Sequence, residues 1–136
     1  SIQSRGGTIK NIPNFLRAKA SAQETAAAAT MRSIAAAQIQ YRMNNPTYAY
    51  LHELAKEKQP YIDTALGNGL KYGYYFKLGH ISEDKFFVTA ESQNSKTNHT
   101  FYIDEDGILC ASDRSNILVP KLHADFGCPA GFSEYK

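Results

Sequence analysis

With 136 residues, 43% of them hydrophobic and 21% charged, the chain has the size and composition of one globular domain. A formal net charge of +2 gives no reason to expect a nucleic-acid partner. No run reaches the roughly 18 apolar residues of a membrane span, and no signal-peptide pattern occurs in these residues.

Residues 1–8, "SIQSRGGT", read as an N-terminal lead, in part an expression remnant, with the natural chain continuing further upstream. Gly6-Gly7 would interrupt a helix arriving from that side. From residue 9 the chain turns strongly helix-forming, and a helix is predicted over 9–44. Thr8 is a candidate cap and Pro13 lies near the start, where proline is best tolerated. If the natural helix extends upstream, Pro13 becomes an interior kink. Asn44-Asn45-Pro46 stops the helix. Its two halves differ. Ala27, Met31, Ile34 and Tyr41 form an apolar stripe at helical spacing, flanked by Ile39 and Met43. The first half carries Arg17, Lys19, Gln23 and Glu24, and past Leu16 its apolar content is almost entirely alanine. The second half is therefore expected against a domain core, and the first half exposed or packed on something outside the chain.

Residues 45–69 read as a linker with two helical pieces, "YLHELAKE" and "YIDTALGNG", the second opened by Pro60 and closed by Gly67 or Gly69. The period then changes to two. In "LKYGYYFKLGH", Leu70, Tyr72, Tyr74, Phe76 and Leu78 alternate with a second set, as in a half-buried strand. "KFFVTAE" gives a strand with Phe86, Val88 and Ala90 on one face, "HTFYID" one with Phe101 and Ile103 inward, and "ILCASD" a short fourth after the turn "EDG". Close turns imply an antiparallel meander over 70–113, and 114–136 reads as an irregular C-terminal loop. The fold class is α+β: a single domain over 9–136, with the long helix packed on a sheet of three or four strands.

Catalytic constellations are absent from this pattern, and no enzyme activity, metal or other cofactor is expected. His52, His80, His99 and His123 have neither i, i+4 partners nor a HExxH neighbourhood. Asp104, Glu105 and Asp106 precede Gly107, but the spacing is wrong for a calcium loop and a hairpin turn explains it. Lys10, Arg17 and Lys19 are explained by a solvated helix face. On the residues alone, Cys110 and Cys128 are either a bridge or two reduced thiols.

The segment "IPNFLRAKASAQE" (Ile12, Pro13, Asn14, Phe15 and Leu16 above all) resembles the stretch just past the membrane-embedded part of the N-terminal helix in type IV pilins and type II secretion pseudopilins. Tyr41, Asn45, Tyr48, Leu51, Leu54 and "PYID" continue the resemblance, as do "GYYFKL", "FFVTAE" and "FYIDEDGILC" more loosely, so that it spans about residues 9 to 111. It implies the ladle-shaped pilin fold, with Pro13 as the helix-kinking proline and Cys110–Cys128 bounding a C-terminal disulfide loop. It also implies that Phe15, Leu16, Ala18, Ala20 and Ala22 pack against helices of neighbouring subunits. The expected function is that of a structural subunit of a type IV pilus-like extracytoplasmic filament. Its partners would be identical or homologous pilin subunits, the inner-membrane assembly machinery, and the membrane itself through an apolar helical segment upstream. The expected location is the inner membrane of a Gram-negative bacterium before assembly, and then a periplasmic or cell-surface filament. The alternatives are a pseudopilin of a type II secretion system and, from a different class, a small secreted binding module. The DPWG-type motif of a calcium-binding loop, common in major pseudopilins, has no counterpart here.

Overall fold

The computed structural model describes residues 14–93, 98–112 and 127–135. One long helix, α1 (Asn14–Arg42), is followed by two short ones, α2 (Leu51–Lys56) and α3 (Thr64–Gly67). Six strands follow: β1 (Leu70–Lys71), β2 (Tyr74–Ile81), β3 (Phe86–Ser92), β4 (Phe101–Asp104), β5 (Cys110–Ser112) and β6 (Phe132–Glu134). They form one antiparallel sheet in chain order. The class is therefore α+β and the sheet a meander, as the periodicities imply. Thr8 and Pro13 lie outside the described residues.

The expected three or four strands are corrected to six among the described residues, for two local reasons. The period-two run from Leu70 is broken by a turn at Tyr72-Gly73, where φ is 55° and 75°. Two successive positive values match the tight hairpin turn that joins twisted strands with least distortion, and Lys71 pairs with Tyr74 across it. Leu70 and Tyr72 consequently point to solvent, while Tyr74 and Phe76 are buried. At the other end, the expected C-terminal loop contributes β6, whose Phe132–Glu134 pair with Cys110–Ser112.

Helix α1 ends at Arg42, two residues before the expected limit, because the chain tightens into turns there. Met43 and Asn44 donate to the carbonyls of Gln40 and Tyr41, and the Asn45 side-chain amide donates to the Tyr41 carbonyl at 2.8 Å. Unsatisfied carbonyls at a helix end require such donors. Upstream of this end, Ala27, Met31 and Ile34 are fully buried against the sheet face formed by Tyr74, Phe76, Phe86, Val88, Ala90, Phe101 and Ile103. Each large aliphatic side chain so buried contributes roughly 1.5–3 kcal/mol. The opposite sheet face carries a smaller apolar cluster of Phe87, Tyr102 and Cys110, with Ile108, Cys128 and Phe132 against it.

Gln38 is a polar residue in the apolar interface, wholly buried. Its amide nitrogen donates to the Ala49 carbonyl at 2.6 Å and its carbonyl accepts the Ala49 N–H at 2.9 Å. This clamp ties the linker to the helix by satisfying both backbone groups of a residue that has no strand to join.

The β2–β3 register shifts between Leu78 and His80, leaving Gly79 as the bulged residue. A Cβ at Gly79 would lie 2.0 Å from Cε1 of the buried Phe87 ring. Gly79→Ala must push that ring out of its place, and should cost about 1–3 kcal/mol of stability by overpacking. Thermal unfolding of the variant checks this, and an unchanged midpoint would show that the ring swings aside freely.

Candidate assembly surface

The two halves of α1 have opposite environments. Residues 14–19, 21 and 22 are exposed, whereas Ala27, Ala28, Thr30, Met31, Ile34, Ala35, Ala37 and Gln38 are buried. Phe15 is 72% and Leu16 43% exposed. Ala18 and Ala22 are exposed, and Ala20 is half-buried. These five residues thus lie together on a projecting stem.

The stem meets the rest of the molecule, the head, at Gln23 and Glu24. The Gln23 side chain lies over the β1–β2 turn, where a Cβ on Gly73 would come within 2.6 Å of its amide nitrogen. Glu24 Oε2 accepts the backbone N–H of His99 at 2.6 Å and lies 2.7 Å from its Nδ1. One carboxylate therefore pins the approach to β4 against the helix.

Above this junction a groove of about 390 Å³ opens between α1 and the segment containing α3 and β1. Ala26, Ala29 and Ser33 form its floor, and Tyr61 and Tyr72 stand on its sides. Asp63 and Lys71 pair across its rim. The Lys71 hydrogen bond and the Leu66 N–H hold the Asp63 carboxyl below its ordinary range, and the same contact with Asp63 raises Lys71. The Lys71 ammonium lies 5.1 Å from the Tyr72 ring centroid. Tyr72 is the non-glycine residue with positive φ among those described, a conformation costing an L-residue roughly 1–2 kcal/mol. Sequence reasoning missed the groove; the Tyr-Gly pair inside an alternating run was the available signal.

Cys110 and Cys128 form a disulfide with Cα atoms 5.7 Å apart. The bridge joins β5 to the chain just before β6 and packs into the outer-face cluster.

The other chemistry-bearing residues are dispersed. His52 stacks on Tyr50, His80 lies on β2, and His99 is held by Glu24; His123 lies outside the described residues. The carboxylates of Asp104, Glu105 and Asp106 come within 4.8 Å of one another. Asp104 accepts from the Tyr102 hydroxyl and the Asp106 N–H, and Glu105 accepts from the Phe86 N–H and pairs with Lys85. Hydrogen bonds within the β4–β5 turn and to the start of β3 thus engage Asp104 and Glu105.

Burial raises the Asp104 carboxyl above its ordinary value of 3.8, with Glu105 and Asp106 adding to the effect. A carboxyl raised on folding binds its proton more tightly in the native state, so stability falls as pH rises through the window just above 3.8. Asp63 is lowered and acts with the opposite sign below that window. Asp104→Asn should therefore flatten the fall in stability in the window just above pH 3.8. Urea unfolding across that range measures it, and an unaltered slope would place the dependence on other groups.

Compared with known proteins, the chain matches no family model, no curated protein and no solved structure.

Proposed function

We propose that this chain is the head and upper stem of a non-enzymatic filament subunit of the type IV pilin kind, in which the α+β fold is the pilin ladle. The observation that carries the reading is the division of α1. Its second half is committed to the core by Met31 and Ile34, while Phe15, Leu16, Ala18 and Ala22 of its first half are left bare. Alanine allows helices to approach closely and costs little side-chain entropy on packing. Copies would pack stem on stem through contacts that do not close, which generates an open helical polymer. An apolar segment upstream would hold each subunit in the inner membrane before the assembly machinery extracts it. The disulfide-bounded segment Cys110–Cys128 favours a surface pilus over a secretion pseudopilus.

The test joins residues 1–136 to an apolar segment of about 20 residues behind a leader that a prepilin peptidase cleaves, in a host with a pilus assembly system. Sheared filaments containing the chain are expected by electron microscopy. A processed, stable subunit that stays in the membrane and never enters filaments would sink the reading.

A further inference from the structure

We propose that the groove between α1 and the α3–β1 segment receives Phe15 and Leu16 of a second copy of this chain. The inference rests on the filament reading and adds which surface of the neighbour each stem engages.

Four observations converge. Phe15 and Leu16 are the large apolar side chains of a stem otherwise built of alanine and polar residues over 14–26, and both face solvent. The groove's floor of Ala26 and Ala29 and its Tyr61 and Tyr72 sides offer a mostly apolar receptor. A chain cannot fill its own groove. Phe15 and Ala29 stand on one continuous helix, about 21 Å apart along its axis at 1.5 Å per residue, so only another copy can bring the two together.

Charge supports the same pairing. The stem carries Arg17 and Lys19, and its one acid, Glu24, is already engaged by His99. Residues 27–136 are nearly balanced, with twelve acidic side chains and eleven basic ones, so any attraction is local. Among these acids, Glu53 and Glu57 lie near Tyr41, where they add to the effect of burial in raising its hydroxyl, and the Tyr41 ring packs edge-on against Tyr61 at the groove. Lys19 sits one turn beyond Phe15 on the same helix face, on the side toward these acids when two stems lie parallel.

The pairing has a geometric consequence. Two parallel copies joined this way are displaced by about 21 Å along the helix axis. Every copy inside the polymer then has its groove filled by one neighbour and its own stem seated in the groove of another.

The test places the photocrosslinking analogue p-benzoylphenylalanine at Phe15 in the anchored, filament-forming chain and maps crosslinked peptides by mass spectrometry. Crosslinks to residues 26–33 and 61–72 of another copy are expected. Ala29→Arg, an exposed substitution that fills the groove, should lower their yield at least tenfold while leaving the thermal midpoint of the soluble chain in place. Filaments whose crosslinks map to stem residues 14–25 alone would overturn the groove assignment and leave the filament reading standing. Failure to form filaments at all, with or without the analogue, would overturn both.

Discussion

Replacing Gln38 by methionine, a side chain of similar length without the amide, should lower the unfolding free energy by about 2–5 kcal/mol. The reason is not the lost side-chain bonds alone, since a typical hydrogen bond is worth a net of about 1 kcal/mol. Gln38 is wholly buried, as is Ala49, whose N–H and C=O both end on its amide. Removing the amide strands two backbone groups away from water, at about 1–3 kcal/mol each. Urea unfolding should show a lower midpoint with an unchanged slope, because the surface exposed on unfolding is the same. A loss below 1 kcal/mol would mean that the 45–50 segment rearranges to find other partners. Gln38→Glu is a useful companion: it keeps the acceptor, loses the donor and buries a charge.

The second large effect is expected from the double variant Cys110→Ala, Cys128→Ala. A bridge across 18 positions restricts the unfolded chain by about 3 kcal/mol in the loop-entropy account. The damage should also be local. Cys110 packs with Phe87 and Tyr102 and pairs with Glu134 of β6. Without the bridge, β6 is held by a three-residue ladder, and the outer aromatic cluster loses its cover. Increased binding of an apolar dye, with the amides of β2 and β3 still protected from hydrogen exchange, would report this. Equal loss of protection from β2 through β6 would show instead that the bridge supports the whole head.

Much of this architecture is legible in the residues. "KFFVTAE" and "FYID" split their side chains between the two faces as a period of two requires, and Met31 and Ile34 mark the buried half of α1. What escaped notice depended on partners distant in sequence or on unusual backbone. Lys71-Tyr72-Gly73-Tyr74 continues the alternation on paper, and only Tyr72 entering left-handed space turns it into a hairpin. β6 is three residues between turns, too short to announce itself, and exists because β5 offers an edge beside the disulfide. Gln38 looks like a surface residue until Ala49, eleven positions on, is brought against it. The groove is assembled from α1, α3 and β1 together, so no single stretch of sequence encodes it.

The bulge at Gly79 bears on how copies of this chain withstand crowding. β1 pairs with Tyr74 and Tyr75 only, so along Lys77–Ile81 the far side of β2 has no strand beside it among the described residues. An uncovered straight edge invites strands from neighbouring molecules to add on, and repetition of that event leads to amyloid. Here the edge is bent by the bulge and carries a lysine, both recognised deterrents to such growth. Molecules brought to high concentration could then meet without their sheets fusing. Straightening that edge would be expected to promote precipitation.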